Sequence, residues 1–502
     1  MHLRILSVIA VLFMIAVLSM TQPLLAGEPL EQPTVLDAIP TPPIFQNPFM
    51  APNNFSEIHL NAYQTDTTAS RGPASASSHA VQQGLLRPIT SIAGTMAFNS
   101  RGQILTIRVG ASPTTPGEEA QTLLLINPET LTVLAETDLP PRPSSGTVVS
   151  FSGGGYFYLD HLDRVVCVTA TQEIRIYAVQ NDQFVLTQTY DLSAQINDAS
   201  DILNSVLPDS AGNLWFITEQ GGVGYVSPAS GTMNIANVRD VPGANPNETN
   251  TKSFATDEDG GVYVVSDYAL YRFQVGPGGT PQETWRAAYD RGVRTKPGQN
   301  QQGSGTTPTV FNDVDGNRFV AIADNADPFL HVNVYNRQTG DLVAQQAVFS
   351  AFPGRNACEN SLIAVNHSIL VENNYGNASV LNTLGPLTTV PGVDRVDFNP
   401  ATGESQVVWE NTTVAVPSVV SQLSTGDGLV YTYAKDHEGW SFAALDFQTG
   451  SLVARSRVPW SDRLGGALAN NFYSGIGIGP DGSAYVGVFG GIVAWRPRGS
   501  RP

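Results

Sequence analysis

The stretch Asp257-Glu-Asp-Gly-Gly-Val-Tyr-Val-Val265 combines the two features that decide the fold, a tight turn and a strand directly after it. Gly260 tolerates a positive φ, and the Asp257 side chain can bond the backbone of its own turn. The residues that follow are β-branched or aromatic, as in a half-buried strand. The stretch therefore predicts a β-hairpin with a short, defined turn.

The same turn and strand recur along the chain with a period of roughly 45–55 residues, which is within the range of propeller blades. The related turns are Asn99-Ser-Arg-Gly102, Asp209-Ser-Ala-Gly212, Asp313-Val-Asp-Gly316, Ser424-Thr-Gly-Asp-Gly428 and Gly479-Pro-Asp-Gly482. A second type of turn follows a third strand. Its examples include Ser227-Pro-Ala-Ser-Gly231, Asn336-Arg-Gln-Thr-Gly340, Asn399-Pro-Ala-Thr-Gly403 and Phe447-Gln-Thr-Gly450.

Four antiparallel strands in each unit are typical of a propeller blade. The predicted units begin near Ser91, Val149, Asn204, Ser253, Thr307, Asn360, Val419 and Tyr473. The last unit stops after Trp495 with only three strands. We expect a strand from before Ser91 to complete it, because an open sheet edge invites aggregation. The sequence predicts an all-β, closed β-propeller of about eight four-stranded blades, with seven blades as the alternative.

The regions outside the repeat predict an exported protein. A short basic start, an apolar run from Ile5 to Met20 and the small residue Ala26 are typical of a secretory signal peptide over residues 1–26, with an uncleaved anchor as the alternative. Residues 27–85 are rich in Pro, Ser and Thr, and are expected to form a tether or a loosely packed lead-in. The propeller is expected over residues 86–498, with a tail at 499–502. We expect a secreted, periplasmic or cell-surface location.

Composition limits the partners. The formal net charge is −18 and no basic stripe is present, which argues against nucleic-acid binding. Apart from the N-terminal run, no apolar segment is long enough to span a membrane. We expect a monomer whose partner is a small molecule or a surface or cell-wall ligand. Cys167 and Cys358 are expected to be two separate buried thiols.

The two recurrent turns, Asp-x-x-Gly and Asn-Pro-x-Thr-Gly, resemble those of the quinoprotein-alcohol-dehydrogenase-like, YVTN and SMP-30 group of propellers. The resemblance covers roughly residues 91–497 and concerns the fold, which by itself does not determine function. Lactonases of the SMP-30 type and esterases of the paraoxonase type use a metal ion in a propeller channel. Their ligands cannot be aligned with this chain one by one, so the resemblance implies no individual metal ligand here.

Polar clusters fall in one class of loops, those before first strands and those between second and third strands. Such loops emerge on one face of a propeller, so they are predicted to converge on a central funnel. In it we expect Asn204, Asn325, Asn360 and Asn374 to bind a ligand. Asp324, Glu359 and Asn373 form a set of hard oxygen ligands suited to Ca²⁺. His437 and Glu372 are the candidate catalytic groups.

Each cluster also has a purely structural explanation. Carboxylates and Asn amides can cap backbone amides in a tight turn, and His437 can be a solvated loop residue. Two functions therefore compete: a metal-assisted hydrolase of lactones or esters, and a non-catalytic binding propeller. A quinone-dependent oxidoreductase is a further alternative. Pyrroloquinoline quinone (PQQ) is not expected, because the six tryptophans share no blade motif.

Overall fold

Eight four-stranded antiparallel sheets follow one another around a central axis. The structure, a computed structural model, describes residues 36–76, 79–86, 91–112, 117–143, 150–459, 461–462 and 464–497. The predicted signal peptide and the C-terminal tail lie outside the described residues. Within the described part of the chain, no helix is sufficiently long and apolar to span a membrane. The predicted propeller is confirmed, with eight blades rather than seven.

The first four blades are numbered in chain order, and each is given from its innermost strand outward. Blade 1 consists of Ile92–Phe98, Ile104–Ala111, Glu118–Ile126 and Val133–Asp138. Blade 2 consists of Phe157–Leu159, Val165–Val168, Glu173–Gln180 and Gln183–Asp191. Blade 3 consists of Leu203–Pro208, Leu214–Thr218, Gly222–Val226 and Met233–Asn237. Blade 4 consists of Ala255–Thr256, Val262–Val265, Ala269–Val275 and Pro281–Ala288.

The remaining blades repeat the same order. Blade 5 consists of Thr309–Asn312, Arg318–Ala323, His331–Asn336 and Leu342–Ala347. Blade 6 consists of Ile363–Val365, Ser368–Glu372, Val393–Phe398 and Ser405–Asn411. Blade 7 consists of Gln422–Ser424, Leu429–Asp436, Gly439–Asp446 and Leu452–Arg457. Blade 8 consists of Ile476–Ile478, Ala484–Val488, Gly491–Pro497 and the early strand His79–Leu85.

The other elements are short. Thr67–Thr68 pairs in parallel with the first strand of blade 7, and Arg142–Pro143 pairs with the third strand of blade 1. One α-helical turn and four 3₁₀ turns complete the described elements: Ser193–Ile196, and Pro73–Ser75, Val238–Asp240, Val380–Thr383 and Leu464–Ala467.

The recurrent Asp turn joins the first two strands of a blade and anchors the second. In blade 3, Asp209 Oδ1 accepts hydrogen bonds from the backbone N–H groups of Ala211 and Asn213, and its Oδ2 accepts from Trp215 Nε1 at 2.9 Å. In blade 4, Asp257 Oδ2 accepts in the same way from the Tyr263 hydroxyl at 2.7 Å. One carboxylate thus satisfies the turn and a buried aromatic residue together, which explains why an aromatic residue stands six positions after the Asp in both of these blades.

The ring closes through the early strand. His79–Leu85 pairs antiparallel with Gly491–Pro497, with His79 opposite Pro497 and Leu85 opposite Gly491. The expectation that N-terminal chain completes the last blade is confirmed. The ring therefore includes residues before 86.

Residues 51–69, named here the axial segment, occupy the centre of the ring. Its backbone carbonyls accept hydrogen bonds from the first strands of successive blades: Phe98 N to Phe55 O, Thr256 N to Ala62 O, Val310 N to Tyr63 O, Ala364 N to Thr65 O and Leu423 N to Asp66 O. The expectation of a loosely packed lead-in is wrong for this segment. Its polar side chains are buried and bond one another, as Asn61 Nδ2 does with Thr65 Oγ1 at 2.8 Å.

Residues 36–50 lie across the face that carries the Asp turns. Ile39 N donates to Thr425 O in blade 7, and Asn366 Nδ2 of blade 6 donates to Pro40 O. Further along, Asn47 Nδ2 donates to Pro208 O in blade 3. The segment thus connects several blades before the chain enters the axis.

Deleting residues 1–85 should abolish cooperative thermal melting, because it removes the fourth strand of blade 8 together with the axial segment. Deleting residues 1–35 is the matched control and should leave the melting temperature unchanged, since it touches none of the described contacts. Differential scanning calorimetry of both proteins checks this. Equal melting temperatures for the two deletions would contradict the closure described above.

Candidate functional site

A cavity of about 160 Å³ lies on the axis, on the side of the ring opposite to the Asp turns. Its walls come from loops that precede first strands and from one loop between second and third strands, and Ile58 and His59 of the axial segment form its floor. The wall residues are Ser150, Phe151, Ser152, Tyr156, Glu219, Thr251, Lys252, Asn300, Gly305, Thr307, Glu359, Asn360, Ser361, Val420, Phe472 and Tyr473. Seven blades contribute to this one cavity.

Two long connections cover the cavity. In residues 289–308, between blades 4 and 5, Gly298 O accepts a hydrogen bond from the Tyr473 hydroxyl of blade 8 at 2.5 Å. In residues 373–392 of blade 6, Gly376 N donates to Pro297 O, and Thr383 Oγ1 accepts from Asn470 Nδ2 at 2.7 Å. The two connections therefore bond each other and the opposite side of the ring.

A buried ion pair forms one side of the cavity. Lys252 Nζ lies 2.7 Å from Glu359 Oε2, and both side chains are less than a tenth exposed. The other carboxylate oxygen, Glu359 Oε1, is buried and has no hydrogen-bond partner among the described residues, and the same holds for Asn360 Oδ1. Buried acceptors without partners are costly, so these two neighbouring residues are the strongest indication that a ligand or water completes the site.

A histidine–carboxylate pair forms the floor. His59 Nδ1 lies 3.1 Å from Asp66 Oδ1 and 2.9 Å from Ser361 Oγ, and the Ser361 hydroxyl also donates to Asp66 Oδ2. These contacts use only one ring nitrogen. They hold the tautomer with the proton on Nδ1 and leave Nε2 without a hydrogen-bond partner among the described residues. His59 thus has one nitrogen available to the cavity.

Buried acids surround this histidine. Burial opposes protonation of His59, but the Asp66 carboxylate outweighs it, so the pKa of His59 is above its ordinary value. Burial raises the pKa of Glu57 to about 7, and the charge of His59 partly opposes that rise. Burial likewise raises the pKa of Glu372 to about 8, although the amide of Asn360 donates to its carboxylate at 2.9 Å. Both glutamates are therefore largely protonated below neutral pH.

Some of the sequence-predicted residues lie at this cavity. Glu359 and Asn360 line it directly. Glu372 contacts Asn360, and Asn374 Oδ1 accepts a hydrogen bond from Glu359 N at 2.8 Å. Asn204 supports the wall from behind, because its Nδ2 donates to Lys252 O at 2.8 Å. Lys252, which bonds Glu359, and the peptide bond between Glu359 and Asn360 connect these five residues into one network.

The other predicted residues are not among those that line the cavity. Asp324 is paired with His331, whose backbone N–H and Nδ1 both bond its carboxylate. Asn325 Nδ2 donates to the carbonyls of residues 291 and 294, and Asn373 Oδ1 accepts from the amides of residues 357 and 375. His437 lies in the hairpin turn of blade 7 with its side chain 77% exposed.

The three predicted calcium ligands consequently have separate partners. Asp324 is bonded to His331, Asn373 to the backbone of its own loop, and Glu359 to Lys252. Asp324 and Asn373 do what the structural explanation expects of such residues, which is to satisfy backbone amides. Of the three, only Glu359 lines the cavity, so the structure assembles no common coordination sphere from this set.

The sequence did not indicate three residues of the site: His59, Asp66 and Lys252. His59 and Asp66 lie in the non-repeating lead-in, where neither a motif nor a strand pattern distinguishes them. Lys252 lies in a loop before a first strand, the class of loop that was predicted to face the funnel. Its rarity, as one of three lysines in the chain, was the available signal.

Within the described residues, one group has its ligand atoms close enough to hold a metal ion. Asp313, Asp315 and His367 each offer an atom, and these atoms lie within 4.8 Å of one another. They are on the opposite face, in turns between first and second strands. His367 Nε2 lies 2.8 Å from Asp313 Oδ2, which also accepts from Asn317 Nδ2, so the turn itself accounts for the arrangement.

Comparisons with known proteins confirm the fold and leave the site unassigned. No family model matches the chain. An uncharacterized protein of Archaeoglobus fulgidus is 28% identical over 309 residues, which cover 56% of this chain and 58% of that relative. The chain thus spans little more than half the length of this curated relative.

Solved structures give the same result. Quinohemoprotein alcohol dehydrogenase from Comamonas testosteroni has a TM-score of 0.50 at 10% identity, covering 91% of this chain and 82% of that chain. A streptogramin B lyase structure has a TM-score of 0.38 at 11% identity, covering 83% and 97%. The predicted resemblance to quinoprotein-like propellers is confirmed at the level of the fold, and likenesses this distant carry no function.

Replacing Glu372 with Gln should make stability less dependent on pH. With a folded-state pKa of about 8, Glu372 stays protonated on folding, so its contribution to stability is full below pH 4.5 and is lost as pH rises toward 8. As pH rises across this range, the free energy of unfolding of Glu372→Gln should therefore increase relative to that of the natural protein, by at most about 1.4 kcal/mol per pH unit.

Denaturant unfolding at several pH values between 4.5 and 8.5 measures this difference. Glu129→Gln, at an exposed turn, is the matched control and should show a constant difference from the natural protein. A constant difference for Glu372→Gln as well would show that Glu372 is ionised in the folded protein.

Proposed function

We propose that this β-propeller is a hydrolase of small esters or lactones, with His59 as the general base. The observation that carries the proposal is the buried Asp66–His59 pair, which leaves Nε2 as the only ring nitrogen free to meet a substrate or water in the cavity. A carboxylate on Nδ1 fixes the tautomer and raises the basicity of Nε2. General-base assistance of this kind contributes about 10²–10⁴-fold to a rate.

The reaction follows from the groups that face the cavity. His59 Nε2 accepts a proton from a water molecule, whose oxygen forms a bond to the substrate carbonyl carbon. The resulting tetrahedral oxyanion is stabilised by the ammonium of Lys252, which lines the same cavity. The carbon–oxygen bond to the alcohol then breaks, and the proton on Nε2 passes to the departing oxygen. The products are a carboxylic acid and an alcohol, or one hydroxy acid from a lactone.

Ser361 is a positioning residue in this proposal and not a nucleophile. In a serine hydrolase the carboxylate and the serine bond different nitrogens of the histidine. Here Ser361 Oγ and Asp66 bond the same nitrogen, Nδ1. Proton transfer from Ser361 to Nε2 would require a different ring position, so water is the nucleophile that this geometry supports.

The size of the cavity limits the substrate. Its volume of about 160 Å³ is similar to that of an engineered protein cavity of about 150 Å³ that accommodates benzene. The proposal is therefore confined to molecules of that order of size. The predicted signal peptide would place the reaction outside the cytoplasm.

His59→Asn should lower kcat for hydrolysis of small esters or lactones by about 10²–10⁴-fold. The Asn amide can still donate to Asp66, but it has no counterpart of Nε2.

Asp66→Asn should shift the acidic limb of the pH–rate profile to lower pH, because the Asp66 carboxylate raises the pKa of His59. A pH-stat assay over a panel of short esters and lactones measures both.

Two controls accompany that assay. Ser361→Ala should lower the activity much less than His59→Asn does, since the hydroxyl helps to hold His59 but does not bond Nε2. His437→Ala should match the natural protein, because His437 is exposed and does not line the cavity. Full activity of His59→Asn would refute the proposal, and loss of activity in Ser361→Ala alone would indicate a serine nucleophile.

Calcium-assisted hydrolysis is the second candidate. Glu359 Oε1 and Asn360 Oδ1 are unpartnered oxygens of the type that Ca²⁺ prefers. The ammonium of Lys252, 2.7 Å from the other oxygen of Glu359, opposes a second cation there. The balance of these contacts favours the metal-independent reaction.

Removal of metal ions distinguishes the two reactions. After dialysis against EDTA, we expect unchanged hydrolysis and an unchanged melting temperature, with elemental analysis to establish that no calcium is left. Loss of activity that returns with added Ca²⁺ would favour the calcium-assisted reaction. Calcium retention without any hydrolysis would favour the non-catalytic binding propeller.

A further inference from the structure

Aromatic rings form one side of the cavity. Phe151 and Tyr156 enter it from blade 2 with ring centroids 6.3 Å apart, and Phe472 and Tyr473 enter from blade 8 with centroids 5.1 Å apart. All four belong to loops that precede a first strand.

The opposite side of the cavity carries an excess of negative charge. The carboxylates of Glu359 and Glu219 line it, against one ammonium, that of Lys252. The other titratable groups that line the cavity are Tyr156, Tyr473 and His59, and the Asp66 carboxylate lies directly behind His59. The carboxylates therefore outnumber the ammonium even before Asp66 is considered, and the whole chain carries a net charge of −18.

The rings and the free carboxylate oxygen share one space. Burial raises the pKa of Tyr156 to about 12, and the charge of Glu359 adds to that rise. Burial and the charge of Glu359 raise the pKa of Tyr473 in the same way. Tyr156, Tyr473 and Glu359 line the same cavity, and Glu359 Oε1 has no hydrogen-bond partner among the described residues.

We infer that the cavity binds a small organic ammonium group, seated between the aromatic rings and Glu359 Oε1. Aromatic faces attract cations, and the attraction increases where water is excluded. A carboxylate oxygen without a partner supplies the counter-charge, and Asn360 Oδ1 offers an acceptor for a hydroxyl or N–H group of the same ligand. This inference deepens the proposed function by naming the substrate class: esters or lactones that carry an ammonium group.

The ammonium of Lys252 disfavours a cationic ligand in the cavity, so replacing Lys252 tests the inference. Its ammonium bonds Glu359 Oε2 and leaves Oε1 free, so it neutralises part of the charge and repels a bound cation over a short distance. If the ligand is a cation, removing Lys252 should strengthen binding, whereas removing the Glu359 charge should weaken it. An anionic ligand would respond in the opposite sense to both changes, and a neutral one would respond little to either.

The experiment uses two probes that differ in one atom. Choline carries a quaternary nitrogen, and 3,3-dimethylbutan-1-ol carries a carbon in its place with the same shape. Isothermal titration calorimetry on the full chain should give choline a Kd lower by at least about tenfold. Equal affinities, or no detectable binding of choline, would overturn the inference.

The variants provide the second readout. Glu359→Gln should weaken choline binding by about tenfold or more, and Lys252→Gln should strengthen it, with little change for the alcohol in either. Because each single change breaks a buried ion pair, the double variant Lys252→Gln/Glu359→Gln, which restores charge balance, should fold and show no preference for choline. A preference for choline that persists in the double variant would also overturn the inference.

These measurements are independent of catalysis. Choline binding with the expected variant response, but no hydrolysis of any ester, would support the ammonium site and refute the hydrolase. Hydrolysis that depends on His59 but is equally fast on ammonium esters and their neutral carbon analogues would support the hydrolase and refute the ammonium site.

Discussion

Eight first strands converge on one axis, and their inward backbone groups must find hydrogen-bond partners there. The axial segment supplies such partners to the first strands of six blades, which are blades 1, 2, 4, 5, 6 and 7. Its carbonyls accept from residues such as Val310 and Leu423, so a stretch of chain without regular structure becomes as buried as the sheets around it. The rest of the molecule depends on this insertion: it closes one end of the central channel, and the space left above it is the cavity.

The parts of the fold that could be predicted are those specified by short, repeated patterns. The Asp turn fixes where each second strand begins, because Asp209 bonds both its turn and Trp215 six residues later. The missing fourth strand of blade 8 also followed from the pattern, since a closed ring leaves no unpaired edge. The axial segment follows no such pattern. Its polar residues bond each other in an arrangement that no repeat specifies. A solvated tether and a buried segment can have the same amino-acid composition, so composition did not distinguish them.

The sequence predicted which class of loop meets at the axis, but it did not distinguish which residues of those loops line the cavity. Glu359 and Asn360, two of the predicted residues, line it, because the direction of a loop follows from strand order. Loop class could not separate them from Asp324 and Asn373, since an oxygen that caps a backbone amide and one that faces a ligand belong to the same residue types. The distinction depends on whether the side-chain oxygen already accepts a hydrogen bond from a backbone amide of its own loop, which only the three-dimensional arrangement determines.

The cavity owes its chemistry to the meeting of two unlike parts of the chain. The blades contribute Lys252, Glu359 and the aromatic loops, whereas the axial segment contributes His59 and Asp66, which no repeat encodes. Ser361 of blade 6 bonds both His59 and Asp66 and so joins the two parts. A similar ring of blades with a different axial segment would keep the walls of the cavity and lose this histidine–carboxylate pair. The side chains on the floor of the cavity thus depend on the non-repeating segment and not on the blades, so a likeness of fold does not carry an activity with it.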